Sequence, residues 1–405
     1  MIIGGGQAGL AVGYHLAQRG RPCLILDAGD RIGDPWRQRW DSLRVFTPAR
    51  YDGLPGWRFP ASGWSYPTKD EVADYLESYA ARFHLDVCPG ERVERLSRDD
   101  GGFMVAAGER RYRADHVVVA TGGYQAPRIP SFAADLDPGI VQLHSTQYRN
   151  PSQLSDGAVL VVGAGNSGGE IAIEAAAAHH TWLAGRDTGQ EPLRAGGWGD
   201  RVLTPPFWFL LSHVLTVRHA LGRKVRQDLS HRGLPLARVR RKDIVAAGIE
   251  RVPRVVGVAG GKPLLDDGRT LDPGTVVWCT GFRSDFSWID LPVFDDEGNA
   301  MHDRGVVAAA PGLYFIGLFF LYAGNSSLIG GVGRDAAHIA AHITAHQAPH
   351  VAEDQALSIA EHQAADVDTR RAPNISGLPV TLTRSNLRLL RSIRRRGARG
   401  PSPGR

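Results

Sequence analysis

Two glycine-rich turns carry the clearest chemistry in this 405-residue chain. The first is Gly4-Gly5-Gly6-Gln7-Ala8-Gly9, behind the apolar pair Ile2-Ile3. The second is Gly163-Ala164-Gly165-Asn166-Ser167-Gly168, behind Val159-Leu160-Val161-Val162. Each reads GxGxxG, with a strand pattern before it and a helix pattern after it. In such a turn the first glycine allows a tight bend. The second lets the backbone approach a pyrophosphate, and the third lets the helix lie on the strand. The phosphates then rest on the positive end of the helix, and Asn166 and Ser167 fall where they would join the backbone N–H groups.

The next strand of each unit ends differently. Cys23-Leu24-Ile25-Leu26 runs into Asp27, an acid placed to accept hydrogen bonds from both hydroxyls of an adenosine ribose. Thr181-Trp182-Leu183-Ala184 runs into Gly185-Arg186, with no acid. A guanidinium there suits a ribose 2′-phosphate through a charge-assisted contact. A plain surface arginine is the other reading of Arg186.

These residues need strands and helices to hold them, and the patterns fit an α/β fold of two Rossmann-like dinucleotide-binding domains. Val117-Val118-Val119-Ala120 stops at Thr121-Gly122, and Val276-Val277-Trp278-Cys279 stops at Thr280-Gly281. Such runs read as strands buried on both faces. Leu313-Tyr314-Phe315-Ile316 is another, and Gly330-Gly331-Val332-Gly333 opens a helix from Arg334 to about 346. The order implies one domain inserted into the other: residues 1–150 and 276–350 form the outer domain, 151–275 the inner one, and 351–405 a C-terminal extension. With only Met1 to Ile3 before the first turn, a first strand of the usual five or so residues would need an upstream start.

The loop Gly33-Asp34-Pro35-Trp36-Arg37 through Thr47-Pro48 concentrates tryptophan, arginine and threonine beyond Asp27. Here the chain resembles the flavin-containing monooxygenase family (class B flavoprotein monooxygenases), which includes the plant-type indole-3-pyruvate monooxygenases. The resemblance covers about residues 1–346. It rests on both GxGxxG turns, on Gly33 and Trp36, on the turn Ala120-Thr121-Gly122 and on Thr280-Gly281-Phe282. A family motif of form FxGxxxHxxx(Y/F) is met in part by Gly139, His144 and Tyr148. Its phenylalanine is missing, and one extra residue separates Gly139 from His144.

The resemblance implies FAD at the first turn and NADPH at the second. It implies that Gly33, Trp36 and Arg37 line the FAD, and that the helix N-terminus at Gly331 and Gly333 faces the flavin pyrimidine. His144 would couple the two domains, or be a buried histidine satisfied by its neighbours. The implied activity is transfer of one oxygen atom from O2 to a small organic substrate through a C4a-hydroperoxyflavin, with NADPH as reductant. An NAD(P)H-dependent flavoprotein reductase and a non-enzymatic nucleotide-binding redox sensor are the alternatives.

Composition narrows the setting. No apolar run reaches the eighteen residues of a membrane span, and no basic segment opens a secretory leader. Cys23, Cys88 and Cys279 lie far apart, so neither a dithiol centre nor a metal site is expected, and the reading is a reduced, cytoplasmic protein. The net charge of +5 comes from residues 384–405, which hold eight arginines and no acid, leaving a mildly acidic body. That tail reads as solvated, with contact to nucleic acid or anionic lipid as the other reading, and no nucleic-acid partner is expected. Residues 205–215 are strongly apolar: a core helix, a substrate-tunnel wall or a membrane-surface segment. Arg238-Val239-Arg240-Arg241-Lys242 reads as a solvated basic loop that would attract phosphates.

Overall fold

The structure, a computed structural model, describes residues 1–190, 198–232 and 234–346. The expected 351–405 extension and its basic tail lie outside the described residues.

The first unit begins β1 (Ile2–Ile3), α1 (Gln7–Ala17), β2 (Leu24–Leu26), the short α2 (Asp34–Arg37), α3 (Lys69–Arg82) and β3 (Asp86–Cys88). An antiparallel meander follows: β4 (Arg95–Asp99), β5 (Gly102–Ala107) and β6 (Arg110–Ala114). Then come β7 (Val117–Val119) and β8 (Ala126–Pro127). The second unit holds β9 (Val141–His144), β10 (Val159–Val162), α4 (Asn166–Ala176), β11 (Thr181–Ala184), α5 (Trp198–Phe209), α6 (Ala220–Arg232) and α7 (Arg241–Ala246). It continues with β12 (Glu250–Val252), β13 (Val255–Ala259), β14 (Lys262–Leu265) and β15 (Thr275–Trp278). The chain returns through β16 (Phe282–Arg283), β17 (Leu313–Phe315) and α8 (Gly333–Ala345).

Two five-stranded parallel sheets organise these elements, in the orders β17-β7-β1-β2-β3 and β12-β11-β10-β15-β9. In the first, Ile2, Ile25, Val118 and Tyr314 face a core shared with α1, α3 and α8. Their neighbours Ile3, Leu26, Val117, Val119 and Phe315 face the other way, onto Phe103, Val105 and Leu96 of the meander. Alternate residues of one apolar run thus feed two cores, as expected when both faces of a parallel sheet are covered. The second sheet repeats the arrangement. Val159, Val161, Leu183 and Val277 meet α4 and Ile244, while Leu160, Val162, Val276 and Trp278 meet Leu265 and Val252. Helix α3 starts at a capping box in which Thr68 and Glu71 bond each other's backbone N–H.

Strand pairing places β9 and β15 in one sheet with β10, across the boundaries at 150 and 275 read from the sequence. β15 pairs with β10 and β9 in the second sheet, so residues 276–278 do not belong to the outer unit, and residues 141–144 do not belong to it either. An apolar run buried on both faces looks the same in either sheet, so pattern alone cannot assign it.

Candidate functional site

The two turns are built alike. Gly4 has φ 111° and Gly163 φ 110°, left-handed conformations that side chains rarely adopt. A Cβ on Gly4 would lie 2.7 Å from Ala120 O, and one on Gly163 would lie 2.2 Å from Cys279 O. The third glycines press on the first: Gly9 would meet Gly4 O at 1.9 Å and Gly168 would meet Gly163 O at 1.7 Å. The middle glycines differ from these. Around Gly6 and Gly165 a Cβ would find no protein atom within 4 Å. Each is the N-cap of its helix, and neither helix has a side-chain cap. Each unit therefore holds uncapped N–H groups behind an open, side-chain-free approach, the form a pyrophosphate fits.

At the ends of the second strands the electrostatics diverge. The Asp27 carboxylate accepts from Gly5 N at 2.5 Å and from Gly29 N at 2.9 Å, which fixes it beside the first turn. In the second unit Gly185, at φ 135°, passes close to Ala164 N. Arg186 stands exposed just beyond it, with no ion pair to another described residue. Two more guanidiniums converge there: Arg251 donates to Gly185 O at 2.9 Å, and Arg241 pairs with Asp187 at 2.5 Å. Arg241 comes from the expected basic loop, whose end is in fact the start of α7.

The turns after β7 and β15 are tied together. Gln125 donates to Thr121 Oγ1 at 2.5 Å and to Gly122 O at 2.9 Å, and accepts from Asp285 N at 2.7 Å. Gly122 and Gly281 both have positive φ. The Thr280 hydroxyl donates to Arg128 O. His144 is buried, with Nδ1 3.0 Å from Thr146 Oγ1 and Nε2 3.2 Å from Gly281 O. Burial holds it below the usual histidine range, with Arg39 adding to the effect against the Gly281 bond. Both ring nitrogens are engaged, so the ring fastens the turn after β15. Neither ring nitrogen is without a protein contact.

The loop after Asp27 joins the two units. Gly33, at φ 89°, presses against Ala73, where a Cβ would sit 2.8 Å from backbone atoms of α3. Trp36 packs on the first core, and Trp40, four residues on, is buried in the second unit's core. Arg37 is engaged by the protein itself. Its guanidinium donates to Ile32 O at 2.6 Å and pairs with Asp74 and Glu77, a tie between α2 and α3. Asn166 is also committed to the protein, donating to Pro235 O and accepting from Ala237 N. Ser167 is half-buried at the head of α4.

Asp52 is the residue that sequence reasoning missed. It is fully buried, Thr47 donates to its Oδ1 at 2.5 Å, and its Oδ2 has no hydrogen-bond partner among the described residues. Burial pushes its pKa up to about 7, with the Thr47 bond opposing. An aspartate before a glycine reads as an ordinary turn residue, and only its apolar neighbours hint otherwise. Beside it lies the chain leading into α8. A Cβ on Gly330, Gly331 or Gly333 would meet Tyr51 O, Asn325 O or Pro55 Cγ at 1.7, 1.8 and 2.7 Å. These glycines serve close chain packing. Next to Gly330 opens a cavity of about 390 Å³, walled by Tyr51, Leu54, Trp57 and Trp208, with Arg50 and Arg58 at its edge.

The profile of the pyridine nucleotide-disulphide oxidoreductases matches residues 1–192, and that of the flavin-binding monooxygenase-like proteins matches residues 104–301. An uncharacterized CzcO-like oxidoreductase of Geobacillus kaustophilus is 40% identical over 342 residues, covering 84% of this chain and 96% of its own. The probable indole-3-pyruvate monooxygenase YUCCA3 of Arabidopsis thaliana is 29% identical, over 74% of this chain and 76% of its own. Among solved structures, a flavin-containing monooxygenase from Stenotrophomonas maltophilia superposes with TM-score 0.67 at 28% identity, covering 85% of this chain and 97% of its own.

Proposed function

The chain belongs to the flavin-binding monooxygenase-like family and is a flavin-dependent monooxygenase; from that premise we propose that it binds FAD and NADPH and transfers one oxygen atom of O2 to a small organic substrate. The carrying observation is the matched pair of glycine turns with opposite charges at the following strand ends, Asp27 at one and Arg186 at the other.

Gly4, Gly6 and Gly9 would hold the FAD pyrophosphate on α1, and Asp27 would take the adenosine ribose. Gly163, Gly165 and Gly168 would hold the NADPH pyrophosphate on α4, with Arg186 on the 2′-phosphate. The chemistry that a bound flavin supplies is two-electron reduction by the nicotinamide and activation of O2. The chain's own part is orientation and exclusion of water. The Thr121-Gly122 and Thr280-Gly281 turns, locked by Gln125 and His144, would set the spacing of the two cofactors. Trp36 would screen a bound flavin from solvent, and Asp52 stands as a buried carboxyl beside the chain that enters α8. The cavity bounded by Trp57 and Trp208 receives the substrate.

A disulfide-reductase chemistry finds no support in the thiols. Burial pushes the Cys279 thiol up to about 12, and none of the three cysteines is in a disulfide. Thiols outside any disulfide also fit a cytoplasmic location.

The test is to release the flavin from purified protein and identify it, then to follow NADPH oxidation under ¹⁸O2 with thioether, amine, ketone and 2-oxo acid substrates. FAD, and a product carrying one labelled atom, are expected. NADPH oxidation that never labels any product, with electrons passing to a quinone or dye instead, overturns the oxygenase reading.

A further inference from the structure

Helices α5 and α6, joined by the π-helical turn Leu210–Val214, are fastened to the body by polar contacts. Asn325 donates to Ser212 Oγ at 2.8 Å, and Arg334 donates to Ser212 O. Val217 N bonds Tyr322 O at 2.9 Å, and Gly324 N bonds Leu215 O at 2.9 Å. Thr204 and Ser212 are buried on that inner side, where Trp208 stacks toward Tyr51 at 4.9 Å.

The outer side is apolar and open. Val202, Leu203, Phe209, Val214 and Leu221 are 56, 49, 58, 36 and 54% exposed. Val202, Pro206 and Phe209 fall at i, i+4 and i+7, one stripe of α5, and the Phe209 ring stacks on His213 at 4.6 Å. Large side chains left in water this way mark a contact surface. The same segment is strongly basic: Arg201, Arg218, Arg223, Lys224 and Arg226 are exposed, against the exposed carboxylate of Asp228.

We propose that this helical pair seats the protein on an anionic bilayer surface, its apolar stripe entering the headgroup boundary and its cations meeting lipid phosphates. The charge selects the occupant. The chain's own C-terminal residues 384–405 carry eight arginines and no acid, so their charge does not complement that of this face. A second copy would oppose the same cations to each other. Interleaved Lys/Arg and Phe/Leu on helices too short and too polar to span is the pattern of an interfacial helix, and no described helix is long and apolar enough to cross a membrane. Because Trp208 of α5 lines the cavity beside Gly330, seating this face also brings that cavity close to lipid.

The experiment is co-sedimentation of the full chain with vesicles of phosphatidylcholine alone or mixed with phosphatidylglycerol. Hydrogen exchange of the amides in 198–229 is measured in parallel. Binding is expected only with the anionic lipid, weakening as salt rises, with slowed exchange confined to this segment. Arg223→Gln and Lys224→Gln should each weaken partition by about fivefold. Leu203→Glu with Phe209→Glu should abolish it while leaving the melting temperature unchanged. Failure of the unmodified chain to bind anionic vesicles overturns the proposal. So does binding that survives the Glu pair, which would assign it to the arginine-rich C-terminus. Equal retention on polyglutamate regardless of the Glu pair also overturns it, in favour of an acidic protein partner.

Discussion

The Tyr148 hydroxyl donates to Glu174 Oε2 at 2.9 Å, while Ser42 donates to the other oxygen of the same carboxylate. One α4 side chain thereby holds both the turn after β9 and the loop that left the first core at Trp36. Asn150 adds a bond to Asp41 at 2.7 Å, and Trp40 is buried nearby. The two cofactor units are joined by this seam as well as by chain connectivity. Tyr148 is fully buried, so Tyr148→Phe removes a charged hydrogen bond without leaving a cavity. It should cost roughly 1.5–3 kcal/mol, read by chemical denaturation. An unchanged midpoint would show that Ser42 alone holds Glu174.

The glycines of the second turn separate packing from binding. A methyl on Gly168 would fall 1.7 Å from Gly163 O, while one on Gly165 would meet nothing. Gly168→Ala should therefore lower the melting temperature with or without NADPH. Gly165→Ala should fold normally and lose coenzyme affinity, because its methyl takes the space of the pyrophosphate. Calorimetry and NADPH titration distinguish the two. Equal NADPH affinity in Gly165→Ala and the unmodified chain would move the coenzyme elsewhere.

Much of this was legible in the residues, and for a physical reason. GxGxxG encodes three steric demands at fixed spacing, and Gly4, Gly9, Gly163 and Gly168 meet them against backbone oxygens the sequence could not display. Sheet membership was not legible. Val276 and Val117 sit in equally apolar runs, and only long-range pairing sends β15 to one sheet and β7 to the other. Side-chain commitments were equally hidden. Arg37 looked available beside Trp36, but its partners Asp74 and Glu77 lie on α3, nearly forty residues away. Asp52 carries no spacing signal, because its burial comes from elements distant in sequence.

Arg186 should decide coenzyme choice. It is exposed and makes no ion pair with another described residue, so its removal leaves no broken contact there. Losing a charge-assisted phosphate contact costs about 1.5–3 kcal/mol, so Arg186→Ala should raise KM for NADPH by roughly ten- to a hundredfold and barely move KM for NADH. Parallel loss with both coenzymes would make Arg186 structural. A small effect would hand the phosphate to Arg241 or Arg251.

Asp52 should make stability depend on pH. Its pKa rises from 3.8 in the unfolded chain to about 7, so the native state holds this proton more tightly. The stability it adds is complete below pH 3.8 and fades as pH climbs to about 7, where ionising a buried carboxyl opposes folding. The span is worth on the order of 4 kcal/mol. Asp52→Asn keeps an acceptor for Thr47 and does not ionise. Its melting temperature should gain on that of the unmodified chain across this window and then stay level with a fixed advantage. A difference independent of pH would show that Asp52 does not titrate there.

Trp36 should govern how faithfully electrons reach substrate. It sits half-buried against the first core, held by the close approach of Gly33 to Ala73, in the loop that follows the ribose acid Asp27. An oxygenase must keep water from the flavin until substrate arrives, and a large flat ring at that position is a direct way to do so. Truncation to alanine opens room for solvent but touches neither glycine turn nor Arg186. Trp36→Ala should therefore keep NADPH oxidation within a few-fold of the original rate. A larger share of the consumed oxygen should be released as hydrogen peroxide and a smaller share should appear in product. Stopped-flow reoxidation of the reduced protein should lose any transient band distinct from oxidised and reduced flavin. Peroxide yield measured against NADPH consumed is the readout. If coupling is unchanged while stability falls, Trp36 serves only to pack the loop, and the screening role belongs to another residue.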